Sequence, residues 1–217
     1  MITITFRKES HAGLRLLCLG AHSDDIELGC GGTVLRLLDE IPGAEVDWVV
    51  FGAAGERRNE ALASADRFLA KAARKNVVIH GFRDGFFPYV GGEIKDVFES
   101  LKSRCNPDLV FTTFRGDLHQ DHRLVSELTW NTFRDHLILE YEVVKYDGDL
   151  GAPSAFVHLS ESTAREKVKN ILEFFKTQHE KRWFTEDTFF SMLRLRGVES
   201  NAPGKYAEAF YCRKIVF

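Results

Sequence analysis

Short apolar runs recur along the chain and alternate with stretches whose apolar positions repeat at helical spacing. The segments Leu14–Gly20, Val46–Phe51, Val77–His80, Leu109–Thr113 and Glu142–Tyr146 read as strands. Between them, Ile94, Val97, Phe98 and Leu101 fall at i, i+3, i+4 and i+7, one face of a helix. A second stripe is Ala61, Leu62, Ala65, Phe68, Leu69 and Ala72. A third, Val168, Ile171, Leu172 and Phe175, lies inside a charged stretch. Glu208–Phe217 reads as a closing strand, and Asp147–Ser154 as a loop rather than an interdomain linker. Strands alternating with crossover helices predict an α/β fold: one domain over residues 1–217, with a mostly parallel, Rossmann-like sheet flanked by helices.

Composition narrows the partners. A chain of 217 residues, 44% hydrophobic and 28% charged, suits one such domain and excludes disorder or a coiled coil. The net charge of −3 arises from 29 basic and 32 acidic residues with no basic run, so nucleic acid is excluded as the principal partner. The opening residues lack the apolar stretch of a secretory signal, and no segment approaches the roughly 20 apolar residues of a transmembrane helix. Cys18, Cys30, Cys105 and Cys212 show no Cys-x-x-Cys spacing and read as free thiols. These features predict a cytoplasmic protein without a transmembrane segment. They leave homo-oligomerisation open.

Open α/β sheets place their sites beyond the carboxyl ends of the strands. Two polar clusters stand at such ends: His22-Ser23-Asp24-Asp25 after the first strand, and Asp117-Leu118-His119-Gln120-Asp121-His122 after the fourth. One aspartate could simply cap the following helix, but a cap requires neither two carboxylates nor an imidazole. Gly29, Gly31 and Gly32 lack both the Lys-Ser/Thr of a phosphate loop and the spacing of a dinucleotide fingerprint. Histidine and carboxylate ligands suit zinc, and a catalytic zinc takes three of them. His22 and Asp25 with one histidine of the second cluster make such a set. Asp24 is left over as an acid free to take a proton from zinc-bound water. The remaining histidines, His11, His80, His136, His158 and His179, have no ligand-like neighbours and read as surface or structural residues.

With these residues in view, the chain resembles the PIG-L/LmbE-type zinc-dependent N-deacetylases. The stretch Ala21–Thr33 is similar to the family's AHPDD-x-E-x-G-x-GGT block, and Gly116-Asp117-x-His119-x-Asp121-His122 to its second block. Arg57-x-x-Glu60, Asp84-Gly85, Lys176-Thr177-Gln178 and Ala207-Glu208-Ala209-Phe210 resemble its lesser markers. Ser23 stands where the family has proline, and Thr177 where it has serine. The resemblance implies Zn2+, or Fe2+ in its place, bound by His22, Asp25 and His122. It implies Asp24 as general base and His119 as donor to the oxyanion or leaving amine, with Asp121 orienting or charging that imidazole. Arg57 and Asp84 would contact the substrate, a small-molecule N-acetylated sugar or glycoconjugate. Two other classes stand beside this reading: a metal-dependent phosphoesterase using the same set, and a non-catalytic nucleotide-binding domain built on the glycine run.

Overall fold

The computed structural model describes residues 4–5 and 13–216; His11 and Phe217, which the sequence reading touches, lie outside them. Among the described residues, seven strands form one sheet: β1 (Arg15–His22), β2 (Glu45–Gly52), β3 (Arg74–Ile79), β4 (Leu109–Thr113), β5 (Leu137–Tyr141), β6 (Ala155–Leu159) and β7 (Tyr206–Cys212). Their order is β3-β2-β1-β4-β5-β7-β6. The first five pair in parallel, and β7 runs antiparallel to both β5 and β6. Among the described residues six α-helices accompany them: α1 (Asp25–Glu40), α2 (Gly55–Phe68), α3 (Gly91–Arg104), α4 (Gln120–Thr132), α5 (Glu161–Phe174) and α6 (Glu186–Glu199).

The period-2 alternation of each strand sorts the core into two layers. Leu16, Cys18, Val46, Trp48 and Val50 face one side, where α1, α2, α5 and α6 cover them. Leu17, Leu19, Ala21, Val49 and Phe51 face the other, under Ile94, Phe98 and Leu101 of α3 and Val125 of α4. Strands buried on both faces carry little polar alternation, which is why β1, β2 and β4 are visible as mostly apolar runs, with Arg15 and Asp47 at half-buried positions. The chain order reverses between β1 and β4, and in this topology the ligand crevice opens beyond the carboxyl ends of those two strands.

The structure differs from the sequence reading in several places. The fifth strand is Leu137–Tyr141, and Glu142–Tyr146 lies in the loop beyond it. Glu140 conceals the strand: it is only 1% exposed, its carboxylate held by the Arg115 amide and the Trp130 indole N–H. β6 is a half-buried edge strand with no strong apolar run. Helix α6 escapes because its apolar residues point both ways, Phe189 and Leu193 inward and Leu195 and Val198 outward. The last strand is Tyr206–Cys212 rather than Glu208–Phe217.

The glycine run lies inside α1 and serves close packing. A Cβ on Gly29 would sit 2.0 Å from Cδ2 of Tyr141, a fully buried ring whose hydroxyl donates to the Leu19 carbonyl at 2.7 Å. Gly29→Ala is therefore expected to lower Tm by roughly 3–10 °C in a calorimetric scan, from about 1–3 kcal/mol of overpacking. Farther along α1, Lys167 donates to the Leu28 carbonyl at 2.7 Å, and the amides of Gly32 and Thr33 donate to Glu208 at 2.8 and 2.6 Å. Lys167 and Glu208 also pair with each other, both buried. A lysine from α5 and a glutamate from β7 thus meet backbone groups of α1, which ties the Ala207–Phe210 marker to the first polar block.

Candidate metal centre

β1 ends at His22 and α1 begins at Asp25, so the first cluster fills the junction between strand and helix. β4 ends at Thr113 and α4 begins at Gln120, which brings the second cluster to the adjoining strand end. His22 Nδ1 lies 3.1 Å from His122 Nε2 and 3.6 Å from Asp25 Oδ2, and His122 Nε2 lies 3.4 Å from that same oxygen. Two ligands each about 2.05 Å from a tetrahedral ion are about 3.3 Å apart. These three atoms accordingly match three corners of one coordination tetrahedron. His119 joins His22 and His122 in a group whose nitrogens lie within 4.8 Å of one another, and it also joins His22, Asp84 and Asp121 in a second such group.

The other nitrogen of each of these two histidines is occupied. His122 Nδ1 meets Asp117 Oδ2 at 2.9 Å, while His22 Nε2 faces Asp84 Oδ1 at 3.1 Å and Asp121 Oδ2 at 3.2 Å. Such carboxylate partners fix the ring and its tautomer in metal sites. Asp121 is itself held by the amides of Gly85 at 2.7 Å and Phe87 at 3.1 Å. Gly85 adopts φ +79, a left-handed turn suited to glycine, and this aims its amide inward.

The electrostatics separate the two adjacent aspartates. Burial alone would raise the Asp25 pKa, but His122, His22 and the His22 amide N–H outweigh it and lower it, so this carboxyl is anionic. Burial and the neighbouring Asp25 push Asp24 upward, against Arg57, Lys181 and His22. Environments that drive two neighbouring carboxyls apart suit a division of tasks between them. Burial disfavours the His22 imidazolium, yet Asp121, Asp84 and Asp25 together hold its pKa up to about 10. The pocket therefore favours positive charge at its centre.

Each residue singled out from the sequence can now be placed. Asp24 occupies the N-cap position of α1 but makes no side-chain cap hydrogen bond, so capping does not explain it. Its carboxylate lies 3.6 Å from Arg57 Nη2. Arg57 also donates to Ser23 Oγ at 3.1 Å and to Asp84 Oδ2 at 3.2 Å. Asp84 is 54% exposed and stands at the mouth of the site. The His22 hydrogen bond keeps its carboxyl well below the usual range despite partial burial. Asp121 turns its carboxylate to His22 rather than to His119, because two loop amides grip it on that side. His119 is the N-cap of α4 and accepts from the Asp121 amide through Nδ1 at 3.3 Å. That bond assigns the ring proton to Nε2. Burial, with His22 and His122 close by, lowers the His119 pKa; Asp121 raises it, as its position beside the ring suggests, but is outweighed.

Three participants carry no role in the sequence reading: Asp117, Lys145 and Asp149. Asp117 is visible there as part of the second block, two residues before His119. Lys145 is hidden in the stretch predicted as a strand. Two lesser markers join each other, Glu60 accepting from the amide and hydroxyl of Thr177 at 2.8 and 2.5 Å. Among the described residues, His80, His136, His158 and His179 belong to no ligand group, and Cys18, Cys30, Cys105 and Cys212 are free.

Comparisons with known proteins bear on this arrangement. The PIG-L family model, GlcNAc-PI de-N-acetylase, matches residues 17–133, a stretch that contains both polar clusters. The zinc-inhibited form of teicoplanin deacetylase Orf2 is similar at 18% identity and a TM-score of 0.72, covering 91% of this chain and 97% of its own. The N,N'-diacetylchitobiose deacetylase of Pyrococcus horikoshii is similar at 20% identity and 0.64, with coverages of 93% and 84%. The hydratase GalB of Pseudomonas putida KT2440 is similar at 16% identity and 0.67, with coverages of 94% and 98%. At these identities the likeness is one of fold, and it embraces two kinds of reaction.

Proposed function

Because the chain belongs to the PIG-L family of GlcNAc-PI de-N-acetylases, we propose that it is a metal-dependent hydrolase removing an N-acetyl group from an amino sugar or sugar conjugate. One observation carries this reading: the convergence of His22 Nδ1, His122 Nε2 and Asp25 Oδ2 within 3.1–3.6 Å, with a second carboxyl, Asp24, beside them. These three residues would hold Zn2+ or Fe2+, both of which accept imidazole and carboxylate. Such an ion, when bound, polarises an amide carbonyl and lowers the pKa of water toward neutrality.

The chain's own groups supply the proton traffic. Asp24 takes a proton from the attacking water, whose oxygen bonds to the acetyl carbon. The His119 Nε2–H donates to the oxygen on which negative charge develops, a task suited to a neutral imidazole. Asp24, now protonated, returns its proton to the departing nitrogen as the C–N bond breaks, giving acetate and a free amine. Its raised pKa suits both steps. Asp84 and Arg57 at the mouth offer an acceptor and donors to sugar hydroxyls.

The test is acetate and amine release from a panel of N-acetylglucosamine conjugates, run beside elemental analysis. Release of phosphate from phosphoesters without acetate release would favour the phosphoesterase reading instead. The nucleotide-binding reading loses its basis, since Gly29 and Gly31 are packed against Tyr141 and Phe68. His119→Ala is expected to retain the ion and to lower kcat about 100- to 1000-fold, the usual cost of one oxyanion donor. A rate within about threefold of the unmodified enzyme, far short of that cost, would remove His119 from the reaction.

A further inference from the structure

Lys145 lies beyond β5 in the loop that borders the metal centre, and its side chain is only 10% exposed. Its ammonium donates to Asp117 Oδ2 at 2.9 Å and to Asp149 Oδ2 at 2.6 Å. Asp117 Oδ2 is the same oxygen that meets His122 Nδ1 at 2.9 Å, and Asp117 Oδ1 accepts the His119 amide at 2.8 Å. Asp149 also accepts the Leu118 amide at 2.8 Å. One carboxylate oxygen is thus shared between a buried ammonium and the outer nitrogen of a ligand histidine.

That sharing has a chemical consequence. A carboxylate accepting the ring N–H of a ligand histidine makes the other nitrogen a stronger electron donor. A cation on the same oxygen draws that charge away, and in a buried setting its influence is little screened. Burial opposes a charged lysine, but Asp149 and Asp117 hold the ammonium in its protonated form. An ion pair serving the fold alone had Asp149 available and needed no contact with the histidine's partner.

We propose that Lys145 is a positioning residue that restrains the donor strength of His122 Nε2 through Asp117, keeping a bound divalent ion electrophilic. The proposal rests on the metal reading above. Its sign is unusual: removing the lysine should tighten metal binding while slowing turnover. In Lys145→Met, competition with a chromophoric chelator should give a Kd for Zn2+ about 3- to 30-fold lower than in the unmodified chain, within the span of outer-shell effects. Its kcat for amine release should fall about tenfold with KM unchanged, and Lys145→Arg should restore both values toward normal.

Asp149→Asn gives the opposite sign, since it concentrates the ammonium on Asp117, and it should weaken Zn2+ binding. It also serves if Lys145→Met does not fold. If the unmodified chain binds Zn2+ and Lys145→Met binds it equally or more weakly, the lysine is merely structural and the proposal is overturned. An affinity left unchanged by Asp149→Asn overturns it as well. If the unmodified chain binds no divalent ion, the metal reading itself fails, a result distinguishable from either of those.

Discussion

Asp24→Asn is expected to keep one divalent ion per chain while lowering kcat for amine release by about two to four orders of magnitude, the span of a general base. Asparagine matches the shape of aspartate and can still lie beside Arg57, which in the native chain is 3.6 Å from the carboxylate. It cannot accept a proton from water or return one to nitrogen. If the role belongs to the transition state alone, kcat and kcat/KM fall together and KM holds. Elemental analysis supplies the decisive contrast. An Asp24→Asn protein that loses its metal would assign Asp24 to the ligand set and leave the base without a candidate.

His122→Ala should remove the ion and the activity together. It takes away one of three converging donors and leaves the buried Asp117 carboxylate, whose ring partner is 2.9 Å away in the native site, to Lys145 and the His119 amide. With the ion gone, the reaction loses both carbonyl polarisation and the acidified water, so amine release should fall to the assay background. His22→Ala should behave alike, and it also strips Asp121 and Asp84 of a shared partner. Circular dichroism and a thermal scan separate lost metal from lost fold. Full metal occupancy with near-native activity in either variant would refute the ligand assignment.

How much of this was legible depended on burial more than on sequence length. β4 could be read residue for residue because Leu109–Thr113 is wholly buried and bounded by Pro107 and Asp108. The proposed ligand residues stand out in the sequence because unpaired charges at a strand end are costly without a purpose. β5 was misplaced because Glu140 breaks its apolar pattern, and nothing local signals that Trp130 and the Arg115 amide satisfy it. Sequence proximity pairs Asp121 with His119, whereas the turn at Gly85 aims it at His22. Lys145 could not be read at all. Its meaning lies in one oxygen of Asp117, 28 residues away in the chain.

The contacts of Lys167 and Glu208 with α1 have a bearing on how the site comes into being. Every proposed ligand lies between residues 22 and 122, inside the stretch 17–133 that the family model matches. Yet the helix that carries Asp25 is also held by contacts that reach 139 and 176 residues along the chain. Contacts that distant form late, because the loop they close must first be gathered. During synthesis the ligand residues therefore emerge well before the groups that set α1 in place. The half that carries the proposed ligands thus leans on the last strand, which anchors α1 through Glu208.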